Sequence, residues 1–423
     1  MKGSLRWRIA LLIGAAIAIS YFDRQTLPVA IAAIQREIPV TNTQFSELQA
    51  YFLVAYAVMY AGGGKLIDAL GTRAGFAAIM LWWSLACASH GLARSFAMLA
   101  GSRLMLGAGE GGGFPAATKA VSEWFPTRER STAMGIINAG TAIGAVVAPP
   151  AISLIVGGLN WRWVFLVSGA IGLLWTAFWW KRYRPAAAHP DLVAAERTEI
   201  REVFEYTARD ERTQAEWFRL LGFPQVWGLV GAKFLSDAAW YFYLFWLPKY
   251  LYDARGFDIR SVGAFAWIPY AFSGVGSISG GWFSSELIRR GHSLNFARKA
   301  ALGASAAVMP CVLFMTHVPV ALAIVLFSIA FFGQQSWSTL VMILPADLFP
   351  HRAVGSVAGL VGFGGAMGGA VFGMVVGYVL DHGFGYGPVF LAVSTFNVAA
   401  FFVILLSVRQ VAPLNSESVE ASL

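Results

Sequence analysis

Apolar residues run along this chain in blocks interrupted by short polar stretches, and a hydrocarbon core of about 30 Å is crossed by about 20 residues of helix. By that measure the blocks fall at about 9–33, 46–66, 75–93, 96–121, 131–156 and 162–181, and then at about 225–250, 262–287, 298–316, 319–345, 353–380 and 387–408. The pattern predicts an all-α polytopic membrane protein of twelve transmembrane helices in two six-helix bundles. The expected domains are an N-terminal bundle over 1–181, a cytoplasmic linker over 182–222, and a C-terminal bundle over 223–423 that ends in a short tail. The linker interleaves Arg182, Arg184, Arg197, Arg201, Arg209, Arg212 and Arg219 with eight acidic residues, while apolar positions such as Leu192, Val203, Phe204 and Phe218 predict short surface helices.

The two halves repeat. Glu123-Trp124-Phe125-Pro126-Thr127-Arg128 precedes the fifth span and Asp347-Leu348-Phe349-Pro350-His351-Arg352 the eleventh. At the same offset of 224, Gly135 pairs with Gly359, Gly140 with Gly364 and Gly144 with Gly368. Related halves of this kind place a substrate site near the midplane and predict alternating access by rocking of the halves.

Composition agrees with this class. Hydrophobic residues make up 57% and charged residues only 13%, whereas soluble domains carry about 25% charge. The net charge of +8 follows the loops, so no nucleic-acid partner is expected. With the N-terminus in the cytoplasm, 21 of the 31 Lys and Arg fall on the cytoplasmic side and six outside (Arg36, Arg94, Arg162, Lys249, Arg255 and Arg260), which selects that orientation for both termini. Cys87 and Cys311 have no paired spacing, and no clustered metal ligands, phosphate-binding loop or activated nucleophile is present. No cofactor, no resident metal and no enzymatic reaction are expected. The first span follows Lys2, Arg6 and Arg8 but is too long and too charged for a cleaved signal peptide.

Charges inside the apolar blocks carry the candidate chemistry, since an Asp or Arg at bilayer depth costs about 2.5 to 3.5 kcal/mol and normally faces a protein interior or a watery path. Tyr21 and Arg24 share one face of the first span, and Asp23 points about 100° away toward another neighbour. Arg24 offers a planar fork of donors suited to a carboxylate. Tyr21, Tyr56 and Tyr60 offer hydroxyls and ring faces, the last two stacked four residues apart. Glu110 stands isolated among glycines, where desolvation favours a bound proton over a charge, and Arg103 two turns earlier is its alternative permanent partner. Lys233 and Asp237, four apart, read as an ion pair, with Tyr241 continuing the stripe. The glycines over 355–377 are packing positions for helices that slide past one another.

The string Gly64-Lys65-Leu66-Ile67-Asp68-Ala69-Leu70-Gly71-Thr72-Arg73 resembles the loop between helices two and three of the major facilitator superfamily. The resemblance implies that Lys65, Asp68 and Arg73 help latch the cytoplasmic helix ends in one access state. The second copy, Gly281 to Gly291, has Ser285 where an acid is usual. A narrower resemblance, to the anion:cation symporters and their hexuronate and galactonate-like branch, rests on four places. These are Tyr21-Phe22-Asp23-Arg24, Glu110 through Pro115, Phe234-Leu235-Ser236-Asp237 with Trp240 through Leu251, and Gln335-Ser336-Trp337-Ser338. It implies substrate binding by Tyr21, Arg24, Tyr56, Lys233, Trp240, Gln335 and Trp337, and proton uptake by Asp23 and Glu110. Near Phe363 and Gly364 the galactonate carriers place an Asn that this chain lacks.

The expected function is therefore import of a small organic anion, a hexuronate, aldonate or aldarate, by proton symport in a bacterial inner membrane, with the lipid bilayer as surroundings and the monomer as working unit. An aromatic carboxylate is an alternative cargo. A drug/proton antiporter of the same architecture is another, set against Gly144-Ala145-Val146-Val147-Ala148-Pro149-Pro150, which departs from the antiporter pattern. A membrane receptor or a membrane enzyme is the alternative from a different class.

Overall fold

The computed structural model describes residues 5–199, 220–349 and 351–412, with a few side chains inside those ranges left outside the description, Lys65 and Asp68 among them. The helices are α1 (Leu5–Ile34), α2 (Asn42–His90), α3 (Phe96–Glu110), α4 (Gly113–Trp124), α5 (Thr127–Gly158), α6 (Trp161–Arg182) and the short α7 (Ala194–Glu199), followed by α8 (Pro224–Arg255), α9 (Ile259–Phe265), α10 (Trp267–Arg289), α11 (Leu294–Ala307), α12 (Val320–Leu348), α13 (His351–Asp381) and α14 (Gly387–Ser407). Helix covers each of the twelve predicted windows, and eight helices among the described residues are long and apolar enough to cross a membrane by length and composition alone. Three of the remaining windows are more polar or interrupted. Thus Pro224–Arg255 carries Lys233, Asp237, Lys249 and Asp253, while the fourth and eighth windows break at Gly111-Gly112 and at Ala266.

Local signals account for the ends. Ser95, Asn160 and Ser293 cap α3, α6 and α11 by accepting from the N–H of Met98, Arg162 and Phe296. Proline opens α8, and Gly256 closes it at φ 67°, a left-handed conformation that glycine adopts without a Cβ clash. Gly71 does the same between the second and third windows, where φ 74° and ψ 154° interrupt an otherwise continuous helix. Glu196 of α7 accepts from the backbone N–H of Leu5 and Arg6, so a linker carboxylate occupies the positive end of α1. The predicted surface helices beyond Glu199 lie outside the described residues.

The chain divides into two compact units, Met1–Pro39 with Val54–Thr213 and Val40–Leu53 with Gln214–Leu423. In the first, α1 packs on α5 through paired small residues: a Cβ on Gly144 would meet the Ala18 carbonyl at 2.2 Å. In the second, α8 packs on α13 by the same device, a Cβ on Gly368 meeting the Phe234 carbonyl at 2.0 Å. Gly144 and Gly368 are a pair of the internal repeat, so the shared register reflects one packing solution used twice. The expected effect of Gly368→Val is a melting temperature several degrees below wild type, since overpacking costs about 1 to 3 kcal/mol and backbone cannot step aside. Gly373→Ala on the same helix, where a Cβ meets nothing within 4 Å, is the control that should melt with wild type. A thermal melt of the purified variants in detergent checks this, and equal melting of Gly368→Val and wild type would contradict the close approach.

Outside the spans, Arg162 donates to Glu37 and holds that carboxyl below its ordinary range, and the Trp161 indole N–H donates to the other oxygen at 3.1 Å. At the opposite end of α6, Arg73 Nη2 donates to the Trp180 carbonyl at 2.5 Å and the guanidinium lies 4.5 Å from the Trp180 ring centroid. The expected latch partners Lys65 and Asp68 have side chains outside the described residues, so only the Arg73 end of that motif is seen. Beside it, Glu123 accepts from the Thr72 hydroxyl at 2.5 Å and the Tyr183 hydroxyl at 2.6 Å. Its repeat partner Asp347 accepts from Arg298 Nε at 2.7 Å, and Arg298 also donates to Ser284 Oγ at 2.9 Å. Where the second copy lacks an acid at Ser285, this ion pair ties α12 to α11 instead.

Candidate functional site

In the first unit, an apolar helix brings charge inward at one level. Arg24 is 2% exposed, and its Nε donates to Glu110 Oε2 at 2.7 Å. Ser20, one turn before Arg24 on the same face, donates its hydroxyl to that oxygen at 2.7 Å. The guanidinium lies 4.6 Å from the ring centroids of both Tyr21 and Tyr56, so two aromatic faces flank a delocalised cation that each ring quadrupole attracts. Glu110 reaches this position because α3 ends on it and the chain turns through Gly111 and Gly112 before α4 begins. A Cβ on Gly111 would meet the Tyr56 carbonyl at 2.5 Å.

This corrects the reading of Glu110 as an isolated acid. Glu110 is paired with Arg24 of another helix, a partner that helix crossing in space supplies and proximity along the chain does not show. Arg103 is nonetheless in the same interior, fully buried, its charge acting on Glu110, Asp23 and Cys87. Two acids and two arginines thus share one buried region, an arrangement that keeps net charge near zero where isolated charge would be costly.

Asp23 points to a different neighbour from Arg24, as helical geometry requires. Its Oδ1 accepts from the Ser168 hydroxyl of α6, and the Cys87 thiol lies beside the same carboxyl. Asp23 Oδ2 and Glu110 Oε1 are buried with no hydrogen-bond partner among the described residues. Each acid therefore keeps one oxygen able to hold a proton. Tyr56 and Tyr60 are 5.8 Å apart and inclined at 41°, tilted rather than stacked, because the rings splay on the helix surface.

In the second unit, Lys233 Nζ lies 2.8 Å from Asp237 Oδ1 and donates to Ser338 Oγ at 2.7 Å. Trp240, buried one turn further on from Asp237, meets Phe331 edge to face at 5.7 Å. Gln335 is half-buried. Trp337 departs from its expected role: it is fully buried in the hydrophobic core with Leu302, Leu340 and Val341, and meets Phe401 edge to face at 6.4 Å. Two successive side chains on a helix point about 100° apart, so Ser338 faces Lys233 while Trp337 faces the core. Gln334 and Asn397 form a buried chain that sequence did not single out: Asn397 Nδ2 donates to Gln334 Oε1 at 2.8 Å, and Gln334 Nε2 to the Ser236 carbonyl at 2.8 Å.

Of the residues missed, Ser20 had a legible signal, one helical turn from Arg24. Ser168 and Cys87 had none, being small residues in apolar windows whose neighbours only folding supplies.

Helices of membrane-crossing length around buried, paired charges define a multi-pass membrane transporter. The chain belongs to the Major Facilitator Superfamily, which residues 13–373 match. It is 31% identical over 411 residues to the hexuronate transporter of Escherichia coli (strain K12), covering 96% of this chain and 94% of that protein. It is 29% identical over 422 residues to the D-galactonate transporter of Escherichia coli O6:H1, covering 97% of each. The galacturonate transporter of Dickeya chrysanthemi is 32% identical over 284 residues, covering 67% of this chain and 82% of that one. In fold, the chain matches a crystal structure of a bacterial homologue of the human lysosomal transporter Spinster, inward-facing and occupied, with TM-score 0.75 over 97% of this chain and 98% of that one at 18% identity.

Proposed function

We propose that the protein imports a sugar acid, a hexuronate, aldonate or aldarate, by proton symport with alternating access. Its setting in this reading is a bacterial inner membrane, with both termini cytoplasmic and the monomer as working unit. The observation that carries the reading is the buried contact of Arg24 with Glu110, flanked by Tyr21 and Tyr56. A substrate carboxylate and Glu110 compete for one guanidinium. When the substrate takes Arg24, Glu110 is left buried without its counter-ion, and a proton neutralises it because an uncompensated buried charge costs several kcal/mol. Asp23, held by Ser168, is the second proton-binding acid. Tyr21 and Tyr56 supply hydroxyls and ring faces to the polyol chain, and Lys233, Trp240 and Gln335 are the candidate substrate-binding residues of the second unit. Lys65, Asp68 and Arg73 act as the latch. The named sugar-acid relatives support the substrate class.

A monovalent anion entering alone opposes an inside-negative potential at about 2.3 kcal/mol per charge per 100 mV. One proton makes entry electroneutral, and two make it driven by the potential. Two acids favour the second ratio. The expected result in proteoliposomes is accumulation of labelled D-galacturonate, D-galactonate or D-glucarate under either an imposed pH gradient or an imposed potential. Accumulation that follows only a sodium gradient would reject proton coupling. A thermal-shift screen of those three acids against an aromatic carboxylate, benzoate, identifies the cargo, since a ligand of the folded state raises its melting temperature. Stabilisation by benzoate alone would replace the sugar-acid reading.

A further inference from the structure

We propose that Arg103 sets the ion selectivity of the carrier, as a tethered cation that stands in for a coupling metal ion and leaves Asp23 and Glu110 able to take up protons only. This rests on the proton-symport reading above, and it gives Arg103 a role that the competition at Arg24 does not require.

Arg103 lies on α3, two turns before Glu110, and is 0% exposed. Its charge acts on Glu110 of the same helix, on Asp23 of α1, and on Cys87 and His90 of the second half of α2. His90 is stacked on Phe165 of α6 at 4.9 Å, with Nδ1 against the Ala86 and Cys87 carbonyls. The region therefore holds two acids and two fixed cations, and of the cations Arg24 is turned onto Glu110. With both acids ionised the four charges cancel, and Arg103 is the cation that completes the balance.

The groups that meet these carboxylates among the described residues are donors. Asp23 has the Ser168 hydroxyl and the Cys87 thiol, and Glu110 Oε2 has the Ser20 hydroxyl and Arg24 Nε, each at 2.7 Å. A proton needs one lone pair, which Asp23 Oδ2 or Glu110 Oε1 supplies. A hard metal cation needs several oxygen acceptors around it at once. Donors turn their hydrogens, and so their positive ends, toward the place it would occupy, and a buried guanidinium repels it through a medium that screens poorly. Arg103→Asn reverses both conditions. It leaves one negative charge in excess when both acids are ionised, adds a carbonyl acceptor, and frees the volume of the longer side chain for an ion. An uncompensated buried charge is costly, so a sodium ion that neutralises it stabilises the fold.

The test compares wild type, Arg103→Asn and Arg103→Lys, each purified in detergent in sodium chloride and, in parallel, in choline chloride of equal ionic strength. Melting temperatures are read without substrate at pH 8, where few protons compete for the acids. Wild type should melt at the same temperature in both salts. Arg103→Asn should melt below wild type in choline and regain several degrees in sodium, the gain growing with sodium concentration, because an ion that binds only the folded state raises its apparent stability. Arg103→Lys keeps the charge and should ignore sodium as wild type does. Lost packing of the guanidinium alone would lower both variants equally in both salts. An Arg103→Asn protein that folds in neither salt, or that folds and melts alike in both, overturns the assignment. So does an Arg103→Lys protein that gains from sodium as much as Arg103→Asn does. Wild-type accumulation of substrate that follows only a sodium gradient overturns proton coupling and this inference with it, whereas wild type driven by protons beside a sodium-indifferent Arg103→Asn overturns the role of Arg103 alone.

Discussion

Arg24→Lys is expected to bind the sugar acid about ten- to a hundredfold more weakly than wild type, the loss of 1.5 to 3 kcal/mol associated with a hydrogen bond to a charged group. The lysine keeps the charge. It loses the Nε donor that meets Glu110 at 2.7 Å, the second donor in the same plane that makes carboxylate capture bidentate, and the flat cation that lies 4.6 Å from two tyrosine centroids. An ammonium in the same place is a point charge that one acceptor satisfies, so it holds Glu110 or the substrate but does not orient either. Isothermal titration with the acid that the thermal screen selects gives the affinity, and a melt without ligand verifies that the variant is folded. Affinity within twofold of wild type would sink the assignment of Arg24 as the anchor.

Glu110→Gln is expected to separate binding from energy coupling. Glutamine has nearly the same volume, still accepts from the Ser20 hydroxyl, and cannot take up or release a proton. Arg24 loses its ionised competitor, so the substrate carboxylate meets a more available guanidinium, and affinity should hold or rise. Exchange of labelled for unlabelled substrate across the proteoliposome membrane should persist. Accumulation against a gradient, driven by an imposed pH difference, should fall to the level of passive equilibration. A Glu110→Gln protein that still concentrates substrate would show that coupling runs through another acid, with Asp23 then the group to examine. The two variants report on opposite partners of one contact and are coupled, so their effects are not expected to add.

Much of this protein was legible along the chain, for physical reasons that act locally. The length of each apolar block follows from the thickness of a bilayer, so all twelve helical windows could be placed from hydropathy. The offset of 224 between halves was visible because packing of α1 on α5 and of α8 on α13 demands glycine at the same register twice, as Gly144 and Gly368 show. Arg24, Asp23, Glu110 and Lys233 stood out because charge in an apolar block is too costly to be incidental. The partner of each charge was legible only where it lay on the same helix, as Asp237 does for Lys233. The structure alone decided that Glu110 meets Arg24, that Asp23 meets Ser168, and that Trp337 turns into the core while Ser338 faces Lys233. Those outcomes depend on how helices far apart in sequence cross and rotate. A one-residue rotation moves a side chain by about 100°, and no local pattern in an almost wholly apolar helix specifies that angle.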